Sequence, residues 1–560
     1  MATQEDVTKA YFCFIHPNTY DNMKRKIENI TSLNQHKMLF VTDMEAGAGS
    51  AIDGATRFPS MRAACEAGDE NLAYLMGKAA AYEARKVGFH WTFGPCVDIL
   101  GNHFSPMTSI RSASENKDDV LKYTAAYMRG LQDFGLIATL KHFPGDGYTM
   151  FDQHLTTSCN PLTKKQWDDS YGYIYQQFIH NGVKVIMAGH ISLPAYDEKD
   201  SNGIYPPASL SYPLLANLLK GKLGFEGIII SDATEMSGFC GYMNYYEACC
   251  AFFNAGGDCL LFAHPTEEFV DKMKEYIASG KLTMEVIQNR AYRMLCFLEE
   301  YVAQVNTLPE NDKENFEIYA NQMVDLSCKI YRDRNHILPI QLDKPLKIAH
   351  VVIACQYDFS LIEKFTKQLS SFASVDELRD PGCKKLKEIA RSKEYDYIIC
   401  SIGCFPWFGT NQITLSGVIA RNMMNGWMKY ETKVIFVDFG HPYIHEEYDA
   451  MIDTLIYTYG YANHTIDNSD CTKESICSVC GKIFLAQANH KFSDTWTKDD
   501  TYHWKVCEND GCTVTTTKTK HSGTDDGDCT TPVICECGEI VTAAKSEHIY
   551  GEWKSNGNGT

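Results

Sequence analysis

Over residues 1 to about 305 the sequence alternates short β-rich runs with helical patterns, and this alternation narrows the fold more than any other feature. The runs are YFCFI, MLFVTD, HWTFGPCVDI, IATLKHF, KVIMAGH, GIIISDA and DCLLFA. Between them lie segments such as NLAYLMGKAAAYEARKVG and VLKYTAAYMRGLQDFG, whose apolar residues recur at helical spacing. Such alternation builds a parallel sheet covered by helices. Several runs end on polar residues: Asp43, Asp98, Lys141 with His142, His190 and Asp232. In a (β/α)8 barrel the C-terminal strand ends form the active-site face. One such residue alone is more often a helix cap; five strands sharing the habit argue for a site. The seven runs stop one short of eight, and the missing strand would precede Tyr11. The expectation is an α/β chain opening with a TIM-type (β/α)8 barrel over 1–305 that lacks its first strand, through a truncated or irregular N-terminus.

Residues 306–465 carry further strand candidates: LKIAHVVIA, YDYIICSIG, TKVIFVDFG and TLIYTYG. The helical pattern PGCKKLKEIARS lies between the first two, and NHILPI reads as an extended lead-in. This is a second α/β sandwich domain. Residues 466–560 then change character. Eight of the 22 cysteines crowd between Cys471 and Cys537, whereas the fourteen before them show no Cys-x-x-Cys spacing and read mostly as buried thiols. The tail also repeats itself. His464, Cys471, Cys477, Cys480, His490 and Trp496 recur as His521, Cys529, Cys535, Cys537, His548 and Trp553, at offsets of 57 or 58. A fixed period of that size means tandem modules, and the stop at NGNGT reads as a chain that continues in the natural protein.

Cys477-x-x-Cys480 with His490 has metal-ligand spacing, and Cys535-x-Cys537 is a tighter version. Cys471, Cys477, Cys480, His490, Cys529, Cys535, Cys537 and His548 are therefore candidate structural zinc ligands. Disulfide staples are the alternative, because a small polar module needs some cross-link to fold. Either way the tail is expected to be an interaction or spacer module, binding other proteins or the cell surface.

Composition excludes some partners. The 560 residues are 44% hydrophobic and 22% charged, an ordinary globular balance that predicts two or three domains. The net charge of -19 repels nucleic acid and anionic membranes. No apolar run reaches the length of a membrane span, and the N-terminus shows neither the basic nor the apolar region of a signal peptide.

The chemistry concentrates in KHFPGDGYTMFDQHL, Lys141 to Leu155. Asp152 and His154 are one residue apart, and i and i+2 share a side in an extended segment. A carboxylate can then hold one ring nitrogen and leave the other free for proton transfer. Gly145 and Gly147 suit a loop that moves. Asp-x-His by itself is more often a turn-capping Asp beside a solvated His. A second element, GIIISDATEMSGF, puts Asp232 at the end of a buried strand, where a carboxylate can attack an anomeric carbon.

Together these motifs resemble glycoside hydrolase family 3, and within it the bacterial β-N-acetylglucosaminidase branch. That branch carries Lys-His-Phe-Pro-Gly-His-Gly followed by Asp-x-His, here KHFPGDG and Asp152-Gln153-His154. The nucleophile motif Ser-Asp-x-x-x-Met corresponds to Ser231, Asp232 and Met236. Pro207, Ala208, Ser209, Leu223, Gly224 and Phe225 precede it in the family's order, and Asp43-Met44-Glu45-Ala46-Gly47, GPCVDI, Arg111 and MAGH add to the match. The resemblance implies a retaining exo-β-N-acetylglucosaminidase. Asp232 would be the nucleophile, His154 the general acid/base and Asp152 its orienter. Asp43, Arg111, Lys141, His142, His190 and Met236 would line the sugar site, with no cofactor for catalysis. The implied partner is an N-acetylglucosamine-containing glycan of cell-wall or chitin type. The tail points to an extracellular or cell-surface protein, the alternative being cytoplasmic.

Asp146 replaces the family's usual His, which is expected to put an extra carboxylate beside the Asp152–His154 dyad. Ala46 and Ala48 replace Gly and Arg, which removes a cation. Three alternatives stay open: a β-glucosidase or β-xylosidase, a phosphorylase using the same dyad, and a catalytically inactive glycan-binding surface protein.

Overall fold

The computed structural model describes residues 12–34, 36–263, 265–304, 315–342, 344–353, 359–403, 409, 424–443, 451–459, 475–476, 483–485, 491–508, 514–528, 530–545 and 547. It divides into two compact units, 1–464 and 465–560.

The first half of unit one is a TIM-like α/β fold. Besides two short parallel pairs, Asn18–Thr19 with Ile52–Asp53 and Ser158–Cys159 with Ile191–Ser192, its parallel strands among the described residues are β1 (Phe12–Phe14), β2 (Leu39–Thr42), β3 (Trp91–Thr92), β4 (Thr139–Phe143), β5 (Val185–Ala188), β6 (Ile228–Ala233) and β7 (Cys259–Leu261). β1-β2-β3 form one sheet and β7-β6-β5-β4 another. Parallel bridges Trp91 to Ile137 and Cys96 to Lys141 join them between β3 and β4. Side chains alternate as period two demands. Leu39, Val41, Trp91, Val185, Met187, Ile228 and Ile230 share one buried cluster, which also takes Phe297 and Leu298 from the helix Met284–Gln304. Phe40, Ile186 and Ile229 face the opposite way, into the larger cluster beneath the outer helices.

Those helices form where the sequence places caps. The helix Glu70–Val87 starts at Asp69, whose side chain accepts the Asn71 N–H, and stops at Gly88 with φ 111°. It crosses the helix Lys117–Asp133 at a Gly-Gly contact: a Cβ on Gly77 would lie 2.1 Å from the Tyr127 carbonyl, and one on Gly130 would lie 2.2 Å from the Tyr74 carbonyl. Two glycines thus set how closely the helix layer wraps the sheet.

The rest of unit one is a sheet ordered β8-β13-β12-β11-β9-β10. Its strands are β8 (Lys329–Asp333), β9 (Leu346–Ile353), β10 (Ala373–Arg379), β11 (Tyr397–Ile402), β12 (Lys433–Asp438) and β13 (Thr454–Tyr457). Only the edge strand β8 pairs antiparallel. Apolar clusters cover both faces, as a parallel sheet requires. This sheet meets loops of the barrel. Ser60 Oγ donates to the Tyr459 carbonyl at 2.6 Å, Ser109 Oγ and His441 Nδ1 are 2.8 Å apart, and His103 stacks on Tyr443.

Among its described residues, unit two holds an antiparallel pair Ser475–Ile476 with Ile483–Leu485, a sheet β14-β15-β16 (Thr497–Lys498, Tyr502–Trp504, Thr519–Lys520) and a separate hairpin, β17 (Val533–Ile534) with β18 (Ile540–Thr542).

Candidate active site

The C-terminal ends of β2, β4, β5 and β6 converge. β6 reads IIISDA, an apolar run that ends on a carboxylate. Asp232 Oδ1 accepts the Ala233 N–H at 2.8 Å, and Oδ2 lies 3.9 Å from His142 Nε2. Burial alone would raise this carboxyl. The neighbouring His142 ring and the Ala233 N–H outweigh burial and hold it below its ordinary value. Asp232 is therefore ionised, the form in which a carboxylate can act as a nucleophile.

His154 sits on the loop after β4, partly exposed. Its Nδ1 is 2.7 Å from Asp152 Oδ1, and its backbone N–H donates to the same oxygen at 2.8 Å. Asp152 is fully buried. Its second oxygen accepts the Gly409 N–H, from the second half of unit one, at 2.6 Å. Burial raises the Asp152 carboxyl, but the bonds from His154 and Gly409 bring it below the usual range. The loop is tied to the segment that follows the nucleophile. Ser237 N–H donates to the His154 carbonyl and Gly238 N–H to the Gln153 carbonyl, both at 3.0 Å, while Gln153 Oε1 accepts the His190 N–H at 2.8 Å. These bonds hold the imidazole on the Asp232 side of the barrel mouth.

His142 is oriented by Asp98, fully buried after β3. Nδ1 lies 2.7 Å from Asp98 Oδ2, which leaves Nε2 toward Asp232. Asp98 also accepts from the Asp146 N–H at 2.8 Å and from Cys96 Sγ at 3.2 Å. Asp146 is the departure from the family pattern, and its position corrects an expectation. It packs against Asp98 and His142 rather than beside the Asp152–His154 dyad. Oδ1 accepts the Gly147 N–H at 2.7 Å and buried Oδ2 has no hydrogen-bond partner among the described residues. Burial, then the Asp98 charge, push this carboxyl up to about 7.

The cations are matched by carboxylates. Buried Lys141 on β4 reaches Asp43 at 2.9 Å and Glu45 at 2.6 Å. Arg111 forks onto Glu45 through Nε at 2.9 Å and Nη2 at 2.8 Å. Burial opposes charge on Glu45, but Arg111 and Lys141 hold it well below the usual carboxylate range. Asp43 is half exposed at the mouth, so it can meet a sugar hydroxyl while paired with Lys141.

His190 and Met236 lie beneath this surface. His190 is buried; Nε2 donates to the Ala233 carbonyl at 3.0 Å and Nδ1 accepts from Ser209 Oγ at 2.8 Å. Burial lowers its pKa, so the ring is neutral and fastens β5 to the turn after Asp232. Met236 is buried at the N-cap of the short helix Ser237–Cys240. The sequence reading passed over Glu45, Asp98, Gln153 and Gly409 as site residues. Asp98 and Glu45 carried a signal, a charge at a strand end and inside a quoted motif; Gln153 and Gly409 carried none.

Of the tail candidates, Cys471, Cys477, Cys480, His490, Cys529 and His548 lie outside the described residues. Cys535 and Cys537 are free thiols, gathered with His503 and His521.

Residues 16–297 match the family model described as the glycosyl hydrolase family 3 N terminal domain. A Cellulomonas fimi protein named beta-N-acetylglucosaminidase/beta-glucosidase is 34% identical over 262 residues, covering 46% of this chain and 46% of that protein. A Chromobacterium violaceum beta-hexosaminidase is 28% identical over 255 residues, covering 44% of this chain and 69% of its own. The chain spans about half the length of the first curated relatives it matches. Among solved structures, a beta-glucoside phosphorylase, BglX, bound to 2FGlc superposes with a TM-score of 0.75 at 25% identity, over 83% of this chain and 87% of that one. A family 3 beta-N-acetylglucosaminidase from Paenibacillus sp. str. FPU-7 shares the fold, with a TM-score of 0.70 at 21% identity over 82% and 89%.

Proposed function

Because this chain belongs to glycosyl hydrolase family 3, we propose that it is a retaining, exo-acting β-N-acetylglucosaminidase that removes terminal β-linked N-acetylhexosamine from glycans. The observation that carries this reading is the Asp152–His154 pair at 2.7 Å on a loop bonded to the turn after Asp232.

Asp232 attacks the anomeric carbon and forms a glycosyl-enzyme ester. His154 Nε2, the ring nitrogen turned away from Asp152, gives its proton to the departing glycosidic oxygen. The now neutral His154 then takes a proton from water, which attacks the same carbon and releases Asp232 with retained configuration. Asp152 fixes the tautomer and stabilises the imidazolium. His142, aligned by Asp98, faces the sugar beside Asp232. Asp43, Lys141, Glu45 and Arg111 form a charge-balanced rim for its hydroxyls. The two carboxylates and one imidazole supply both steps, so the mechanism calls for no cofactor.

Phosphorolysis by the same dyad would need a cation for phosphate. Lys141 and Arg111 are already held by Asp43 and Glu45, which favours hydrolysis. The name of the Chromobacterium relative favours the N-acetyl sugar, and that of the Cellulomonas relative includes it beside the glucoside.

In this reading 1–305 is the catalytic domain, 306–465 a supporting domain that reaches the dyad through Gly409, and 466–560 an interaction module at the cell surface or outside the cell. No helix among the described residues is long and apolar enough to cross a membrane.

The test is turnover of aryl N-acetyl-β-glucosaminide and aryl β-glucoside, with and without phosphate, by wild type, Asp232→Ala and His154→Ala. The N-acetyl substrate should dominate without phosphate, and both variants should lose it. A preference for the glucoside, a requirement for phosphate, or full activity of His154→Ala would contradict the assignment.

A further inference from the structure

The described part of the tail shows almost no apolar core. Among its described residues only His503, Cys507 and Cys535 are buried. Two of these three belong to one cluster, and the cluster sits where the sheet β14–β16 meets the hairpin β17–β18.

His503 lies on β15, His521 directly follows β16, and Cys535 and Cys537 form the β17–β18 turn. The ligand atoms of all four lie within 4.8 Å of one another. The turn is a tight knuckle. Gly538 N–H donates to the Cys535 carbonyl and Cys535 N–H to the Glu539 carbonyl, both at 2.8 Å, with Gly538 at φ 82°. That geometry turns two thiols toward one point.

The ring nitrogens point the same way. His503 Nε2 is 3.1 Å from Glu536 Oε1, and His521 Nε2 is 2.8 Å from the Asp499 carbonyl. Both partners only accept, so in the neutral rings Nε2 carries the hydrogen and Nδ1 presents a lone pair. The two Nδ1 atoms nonetheless face each other at 3.4 Å. Cys535 Sγ is 3.4 Å from His503 Nδ1, and Cys537 Sγ is 3.3 Å from His521 Nδ1. Two lone pairs at that separation repel unless a positive charge lies between them. A tetrahedral zinc with bonds of about 2.0–2.1 Å to nitrogen and about 2.3 Å to sulfur has N···N edges near 3.3 Å and N···S edges near 3.6 Å. The observed spacings fall close to both.

We propose that His503, His521, Cys535 and Cys537 form a structural Cys2His2 zinc site that fastens the β17–β18 hairpin to the β14–β16 sheet. Two thiolates and two imidazoles in a tetrahedral set select zinc over hard cations. Glu536 and the Asp499 carbonyl, holding the outer nitrogens, are the partners that fix ligand tautomer in such sites. With so little apolar burial among the described residues, metal binding supplies folding free energy to this part of the module.

The experiment uses the full chain, stripped with a chelator and titrated with Zn(II) or Co(II). Wild type should take up Co(II) with visible bands of a tetrahedral ion and a thiolate charge-transfer band, and Zn(II) should displace it. The paired variant Cys535→Ser/Cys537→Ser should hold one equivalent of metal less than wild type by elemental analysis. His503→Cys should keep that equivalent and strengthen the charge-transfer band, which separates ligation from mere loss of folding. Glycosidase activity serves as the control that unit one is intact in every variant. Equal metal content in wild type and the paired variant, or Co(II) spectra without thiolate bands, would overturn the site and leave the cluster as a thiol–imidazole hydrogen-bond network.

Discussion

The backbone N–H of Gly409 donates to Asp152 Oδ2 at 2.6 Å, across 257 residues of sequence. The carboxylate that orients the His154 imidazole is thus oriented in turn by the second half of unit one. The family's dyad is local in sequence, but here its alignment is not.

A side chain at position 409 should therefore impair turnover more than binding. Gly409 has φ 91°, a conformation L side chains rarely adopt, although a Cβ there meets nothing within 4 Å. Gly409→Val should turn the N–H away and withdraw a hydrogen bond to a charged acceptor, worth about 1.5–3 kcal/mol. We expect kcat to fall by roughly 10- to 100-fold with KM little changed. Steady-state kinetics on the aryl N-acetyl-β-glucosaminide check this, and unchanged kcat would remove Gly409 from the account.

Asp98 acts through His142. Asp98→Asn keeps the shape but removes the charge that faces Nδ1 at 2.7 Å. His142 Nε2 then loses its fixed aim toward Asp232 and the sugar. The expected loss in kcat/KM is on the order of 10- to 100-fold, from misorientation. Asp98→Glu should not restore it, because the longer chain cannot fit a fully buried position.

Asp146 gives the protein a pH-dependent stability. Its carboxyl is pushed up to about 7 in the fold, against 3.8 as its ordinary value. Between those values the folded chain binds the proton and the unfolded chain does not. The protonated group's contribution is fully present below about pH 4, declines toward pH 7 and is gone above it. At about 1.4 kcal/mol per pK unit the total is a few kcal/mol at most. Asp146→Asn keeps an acceptor for the Gly147 N–H and removes the titration. The Tm of the variant minus that of wild type should therefore increase from pH 5 to pH 8 by several degrees. A difference that is constant with pH would contradict a raised Asp146.

The sequence made the barrel half legible because its strands are short apolar runs ending on charges, a pattern that local chemistry imposes. The seven runs read there coincide with β1 to β7, and Asp43, His142, Asp152, His154 and Asp232 gather at one face. What escaped depends on tertiary approach. Asp146 was expected beside His154, its near neighbour in sequence; the turn at Gly145 and Gly147 folds it back onto Asp98 instead. His190 looked like a lining residue and is a buried tie between β5 and the turn after β6. Gly409 offers only a backbone N–H, which no side-chain pattern can announce. In the tail the cysteine repeat drew attention to Cys535 and Cys537, but His503, on a strand outside the repeat pattern, could be found only from the folded module.

The central claim is that Asp232 carries the sugar in a covalent intermediate while His154 moves the proton. It is tested most directly in His154→Ala given dinitrophenyl N-acetyl-β-glucosaminide. The good leaving group departs without an acid, and release by water, which needs the missing base, becomes slow. Mass spectrometry of peptic peptides should find one N-acetylhexosaminyl group on the peptide that contains Asp232. An adduct on any other residue, or steady formation of product with inverted anomeric configuration and no adduct, would contradict the mechanism.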